Sequence, residues 1–274
     1  MQKITSKDNS LIKHIMKLKN KKYRNEFNEY IIEGSKIIKE AIDENVKIKN
    51  ILVSEDAINS ELVTRYLKGK LNDFDCIIVT EGILKQITDV EHPQGVVAIV
   101  QKKDNINEID YNEDFILALD NIQDPGNLGT IVRTADSCNI KQILISKGTV
   151  DIFNPKVIRS TMGAIFRVNI IECENLVYTL QNIKLNNYKI VSTSLGSSKS
   201  IYNLDLKRKV IVIGNEANGI SEEILNVSDE KAIIPMLGKT ESLNASVAAG
   251  VIMYEYVRQK IQENSWIFYL LIVK

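Results

Sequence analysis

Histidine and cysteine are scarce in this chain: His14 and His92 are the two imidazoles, and Cys76, Cys138 and Cys173 are the three thiols, none in a C-x-x-C pair. An odd number of widely spaced cysteines does not make a disulfide framework and fits a reducing cytosol. With so few soft ligands, a structural zinc site has little to be built from. Long apolar runs are missing too. No segment reaches the roughly 18 apolar residues of a membrane span, and no run of signal-peptide length follows the N-terminal lysines. The apolar stretch Trp266–Val273 is too short to cross a bilayer and reads as a terminal strand or docking segment. Neither charge is in excess, with 35 Lys and Arg against 35 Asp and Glu, so the total argues neither for nor against a nucleic-acid partner.

The glycine signatures of two nucleotide-binding classes are also absent. No G-x-G-x-x-G follows the first strand of either half, which weighs against a nicotinamide or flavin enzyme. Gly238-Lys239-Thr240 has the ending of a phosphate-binding loop, but Ile233 stands where that loop needs a glycine. Ser160 and Ser242 have no adjacent histidine, so a serine nucleophile would lack its base.

What is present is organised in two halves. A chain of 274 residues that is 44% hydrophobic is long enough for two cores. Within residues 1–30, Lys3, Lys7, Lys13, Lys17, Lys19, Lys21, Lys22 and Arg24 face Asp8, Glu26 and Glu29. That basic run reads either as a solvated face or as a phosphate-contacting one. Residues 34–101 alternate in pattern: Ser35–Ile42 helical, Ile48–Val53 extended, Ile58–Leu67 helical, Cys76–Val79 and Gly95–Val100 extended. We read residues 1–101 as a small α/β domain and the polar stretch to Asp114 as a linker.

From Phe115 the alternation restarts, with strands expected at Phe115–Leu119, Gln142–Ile145, Arg167–Ile171, Lys189–Ser192, Lys209–Ile213 and Lys231–Pro235. Asn154 before Pro155 marks a helix start, since Asn caps and Pro suits the first helical position. Strands alternating with helices predict a mostly parallel sheet covered on both faces, with ligands at the strands' carboxyl ends.

Three segments rich in Gly, Asn and small residues fall where those strands end. Asp120–Ala135 ends a strand in a Pro-Gly turn, and Asn127 is placed to cap a helix carrying Arg133; the plainer reading is a capped helix with a surface arginine. Val210–Ile220 runs from an apolar strand into a loop with Gly214, Gly219 and Glu216, which suits either close backbone approach to a ligand or a tight turn with an exposed acid. Ile233–Gly250 ends a strand at Pro235, crosses a polar loop and enters a helix with small residues in its first half, fitting a flat ligand or tight helix packing.

In order, wording and spacing, these segments resemble the three motifs of the SpoU, or TrmH, family of RNA 2′-O-methyltransferases in the SPOUT superfamily. The motif residues are Asn127-Leu128-Gly129-Thr130-Ile131-Val132-Arg133-Thr134-Ala135, then Ile213-Gly214-Asn215-Glu216-Ala217-Asn218-Gly219-Ile220, then Ile234-Pro235-Met236 with Ser242-Leu243-Asn244-Ala245-Ser246-Val247-Ala248. In the first half, Tyr30-Ile31-Ile32-Glu33-Gly34 and His92-Pro93-Gln94-Gly95-Val96-Val97-Ala98 resemble the family's RNA-binding domain, itself similar to a kink-turn-binding ribosomal protein. The tail after about Gln262 falls outside the family pattern.

The resemblance implies an α/β fold: a trefoil-knotted, mostly parallel catalytic sheet over residues 115–262, preceded by the small α/β RNA-binding domain. It implies a homodimer, and S-adenosylmethionine held bent in the knot, with no metal. By position it makes Asn127, Arg133, Glu216, Ser242 and Asn244 catalytic. Cofactor contacts fall to Leu195, Gly196, Gly214, Asn215, Glu216, Ile234, Met236, Leu243 and Ser246, largely through backbone groups. The implied acceptor is a ribose 2′-hydroxyl of ribosomal RNA, most of all 23S, in the cytoplasm. A transfer-RNA enzyme of the same fold and a non-catalytic RNA-binding or ribosome-assembly factor are the alternatives; intact Asn127, Arg133, Glu216 and Asn244 count against the second. A guanidinium stays protonated at any physiological pH, so Arg133 is expected to grip phosphate and orient the hydroxyl rather than act as the base.

Overall fold

The computed structural model describes residues 2–103 and 108–263; residues 104–107 of the expected linker and the Trp266–Val273 stretch of the tail lie outside these. The chain forms two compact units, Met1–Asn105 with Asp151–Arg167, and Ile106–Val150 with Val168–Lys274. No described helix is long and apolar enough to cross a membrane. In the first unit, strands β1 (Gln2–Ile4), β2 (Glu29–Glu33), β3 (Ile48–Ser54), β4 (Cys76–Val79) and β5 (Val96–Gln101) form a mixed sheet in the order β1-β4-β3-β5-β2. β5 runs antiparallel to both neighbours. Helices α1 (Ser10–Leu18), α2 (Lys21–Phe27), α3 (Ser35–Asp43), α4 (Glu61–Leu67) and α5 (Glu81–Ile87) belong to this unit. α4 begins three residues later than its apolar pattern, because Ser60 caps it by accepting the Val63 N–H.

In the second unit, β6 (Phe115–Leu119) is followed by helix α6 (Pro125–Ser137) and β7 (Gln142–Ser146). Helix α7 (Pro155–Thr161) is capped by Asn154, as its Asn-Pro pair predicts, and packs in the first unit. The second unit then resumes with β8 (Asn169–Cys173), α8 (Leu176–Lys184), β9 (Lys189–Thr193), β10 (Lys209–Ile213), α9 (Glu222–Val227), β11 (Glu230–Ala232) and α10 (Ala245–Glu263). Its six strands are parallel, in the order β11-β9-β10-β6-β7-β8. β6 is buried along its whole length, as expected of a central parallel strand covered on both faces. β11 is shorter than the expected Lys231–Pro235. Past Ala232 the chain leaves β9, and Ile233 pairs instead with the loop that follows it, donating to the Lys199 carbonyl and accepting from Ile201.

The segment Asp151–Arg167 completes the first unit in two ways. Ile158 and Phe166 join the core of Ile38, Ile51, Val53, Ala98 and Val100 on one face of its sheet. Arg24, only 3% exposed, holds Asp151 through Nε at 3.0 Å and through Nη2, while Nη1 donates to the carbonyls of Leu18 and Lys19 at 2.8 and 2.7 Å. A buried charge with all three of its nitrogens engaged is tolerated, and removing it leaves the opposing charge uncompensated. Arg24→Ala is therefore expected to destabilise this unit by about 3–5 kcal/mol in urea unfolding of the full chain. A loss below about 1 kcal/mol, the range of an exposed pair, would show that the buried arrangement carries no such weight.

Candidate functional site

Four neighbouring parallel strands, β11, β9, β10 and β6, end on the same side of the second sheet, so the loops after them converge although they are far apart in sequence. Three of these loops, with the start of α10, enclose a cleft of about 400 Å³. Thr193, Ser194 and Leu195 line it from the loop after β9, residues 214–217 with Gly219 and Ile220 from the loop after β10, and Ile233, Ile234, Met236, Glu241, Ser242 and Leu243 from the segment after β11. Small residues of α10, Ala245 and Ala248, close one wall.

The loop after β10 is bent tightly. Asn215 and Gly219 exchange backbone hydrogen bonds of 2.8 and 2.9 Å, and Gly219 takes a φ of 69°, in the left-handed region that glycine favours. At Gly214 the close approach leaves no room for a side chain, since a Cβ there would lie 2.3 Å from the Gly219 carbonyl carbon and 2.4 Å from the Ile220 nitrogen. The Asn215 side chain is buried and turned into its own loop, accepting from the N–H groups of Ala217 and Asn218 at 2.9 and 3.0 Å and donating to the Asn121 carbonyl at 2.8 Å. Its contribution to the cleft is therefore its backbone. Buried Asp120, at the end of β6, accepts from the Ser221 N–H at 2.9 Å and ties the far end of the loop to the same strand.

α6 differs from the local reading in its cap. Asp124, not Asn127, caps the helix by accepting the Asn127 N–H at 2.8 Å, and Pro125 takes the first helical position. An Asp-Pro pair is a sequence-readable start signal, and it places Asn127 in the first turn with its amide free for other partners. That amide donates to Glu216 Oε1 at 2.8 Å and accepts from Asn244 Nδ2 at 3.0 Å. Asn244 in turn caps α10, its Oδ1 accepting from Ser246 N–H, Ser246 Oγ and Val247 N–H at 2.9, 2.7 and 3.3 Å. Asn127, Glu216 and Asn244 thus form one hydrogen-bonded chain across three loops.

Arg133 is exposed further along α6 and makes no ion pair among the described residues. Of the other candidate positions, Leu195, Gly214, Asn215, Glu216, Ile234, Met236, Ser242 and Leu243 line the cleft. Gly196 and Ser246 are not among the lining residues. Gly196 stands in open space, where an added Cβ would meet nothing within 4 Å, and Ser246 spends its hydroxyl on Asn244. Asp120, Asn121 and Asp124, which support the site from below, were not among the candidates. Local pattern offered a signal only for Asp124.

Comparison with known proteins identifies the family. The SpoU rRNA methylase family model matches residues 114–254, and an MRM3-like substrate-binding domain model matches residues 9–98. The 23S rRNA (guanosine(2553)-2'-O)-methyltransferase RlmP of Bacillus subtilis is 30% identical over 256 residues, covering 93% of this chain and 98% of the relative. The crystal structure of an rRNA methyltransferase from Sinorhizobium meliloti is 30% identical, covers 94% of this chain and 98% of its own, and superposes with a TM-score of 0.81; its AdoMet-bound form gives 0.78. A structure of an RNA 2'-O ribose methyltransferase, 28% identical, covers 95% of this chain and all of its own with a TM-score of 0.81. With likeness running through both halves, the chain belongs to the SpoU rRNA methylase family.

Proposed function

We propose that this protein transfers a methyl group from S-adenosylmethionine to a ribose 2′-hydroxyl of ribosomal RNA, 23S above all, in the cytoplasm. The observation that carries the reading is the Asn244–Asn127–Glu216 chain drawn together beside the glycine-bent cleft. The preference for ribosomal RNA rests on the substrate-binding-domain match over residues 9–98 and on the RlmP relative. Of the basic run of residues 1–30, the exposed Lys7, Lys17 and Lys22 lie within the first half and suit phosphate contact, whereas Arg24 is buried on Asp151.

The cleft fits the cofactor in its chemistry. Backbone edges of bent loops offer hydrogen bonds, Gly214 permits a close approach, and Ile213, Ile234, Leu243, Ala245 and Ala248 offer apolar walls to a flat base. Leu195, Gly214, Asn215, Ile234, Met236 and Leu243 would hold it, and the trefoil threading that the family resemblance implies would have these loops meet around it. When bound, S-adenosylmethionine supplies an electrophilic methyl on a sulfonium that departs as a neutral thioether. The chain's own task is then the nucleophile. As the ribose oxygen takes the methyl it must lose its proton, to a phosphate oxygen or to solvent. Arg133, cationic and exposed, grips the target phosphate and orients the hydroxyl, while Asn127 and Asn244 fix the carboxylate of Glu216 at the cleft.

The second copy that membership implies has a surface to meet. Val247, Tyr254 and Ile261 recur every seven residues on one face of α10 and are 50%, 55% and 37% exposed. Such a stripe on a long helix suits a second copy of the chain, and we assign it to a homodimer with the two sites near the interface.

Gly214→Ala should weaken S-adenosylmethionine binding at least tenfold, about 1.4 kcal/mol, in calorimetry. Unchanged affinity would remove this loop from the cofactor site. Arg133→Ala should cut methyl transfer by about a hundredfold or more while cofactor affinity stays within about threefold. RNA carrying a 2′-deoxy nucleotide at the acceptor should take no methyl at all; continued tritium transfer to it would place the chemistry on a base. Tyr254→Asp should convert a dimer to a monomer by sedimentation equilibrium, and a parent protein that sediments as a monomer would refute the assigned face.

A further inference from the structure

The second residue after β6 has an unusual backbone for its surroundings. Asn121 has a φ of 62°, in the left-handed region that Asn tolerates better than most side chains. A backbone hydrogen bond holds it there. Its N–H donates to Ser146 Oγ at 2.8 Å, at the end of the adjacent strand β7. Its side-chain oxygen lies against Gly148, where an added Cβ would come within 2.2 Å of it. The turn so made aims the Asn121 carbonyl at the loop after β10, where it accepts from Asn215 Nδ2 at 2.8 Å.

That hydrogen bond fixes which way the Asn215 amide faces. With Nδ2 held by Asn121, Oδ1 points to the N–H groups of Ala217 and Asn218 and clasps the backbone on the far side of Glu216. Glu216 is the residue between the clasped positions, and its carboxylate meets Asn127. A continuous path therefore runs from Ser146 through the Asn121 backbone to Asn215 and Glu216, entirely within the second unit. No step of it depends on what the Asn121 side chain binds; it depends on the direction of its peptide groups.

We propose that Asn121 is a positioning residue for the methyl transfer: its left-handed backbone, anchored by Ser146, sets the Asn215 amide and through it the placement of Glu216. The assignment rests on the methyltransferase reading above. It predicts that the backbone conformation at residue 121 matters and the side chain does not.

The test uses the full-length protein, tritiated S-adenosylmethionine, and ribosomal RNA from cells lacking this protein. Asn121→Gly, which keeps positive φ, should leave kcat within about threefold of the parent. Asn121→Val, whose β-branch disfavours that region, should lower kcat by about tenfold or more with little change in KM for RNA. In a Glu216→Ala background the same Val substitution should have less than about a twofold effect, because the path then ends at a missing group. Ser146→Ala, which loses only the anchor, should lower kcat by about threefold with an unchanged melting profile, and it keeps the test decisive if Asn121→Val does not fold. Equal damage from Gly and Val, a Val effect that persists without Glu216, or parent-like rates for both Asn121→Val and Ser146→Ala would each overturn the assignment. An unsubstituted protein that moves no methyl removes the reaction and the assignment together; an active one with those parent-like variants removes the assignment alone.

Discussion

One carboxamide joins the three motif loops. Asn127 gives its nitrogen to Glu216 and its oxygen to Asn244, residues 89 and 117 positions away, and no other described side chain hydrogen-bonds both. An amide serves because it carries a donor and an acceptor at opposite corners of one rigid plane, so two partners on different loops can be held at a fixed separation. For that to work the loops must already be in place. The strand order does this, setting the carboxyl end of β10 beside that of β6 and leading the chain after β11 past both of them to α10. The helix cap by Asp124 has the same purpose, since an Asn127 spent on capping would turn its oxygen to helix N–H groups and have no acceptor left for Asn244.

The cleft beside this junction is built from backbone more than from side chains. Gly214 passes so close to Gly219 and Ile220 that the loop is defined by what is absent from it, and Asn215 shapes the loop by folding its own amide inward. Such a site has few charged groups to tune. Its specificity comes from where peptide N–H and C=O groups point, which is set by the turns and by the residues beneath them.

Much of the architecture was legible in the sequence, and the reasons it stopped being legible are physical. Phe115–Leu119 and Lys209–Ile213 stand out as strands because both faces are buried and their apolar runs are uninterrupted. Lys231–Pro235 overreached because an apolar pattern records burial and not pairing, and Ile233 changes partners while staying apolar. Asn127 could be picked out through the family motif, yet its local role was misjudged: a residue that looks like a cap was the partner of two distant loops. Asn121 gave no local signal at all. Its importance lies in a carbonyl direction and in a hydrogen bond to a residue 94 positions away, and neither leaves a mark on periodicity or composition.

The membership of Asp151–Arg167 in the first unit has a consequence for how the protein is made. The polypeptide leaves that unit near residue 105, returns for the Asp151–Arg167 stretch, and leaves again. On a ribosome the strands of the N-terminal half therefore emerge while Ile158 and Phe166 are not yet available to its core and Arg24 is still without its acid. Domains generally fold in the order in which they are synthesised. Here the half that starts first must wait, with a polar and apolar vacancy on one side, until β6, α6 and β7 of its successor have been translated. The two units are interleaved in the order of synthesis, so any delay between residues 105 and 167 falls on the unit that began earlier.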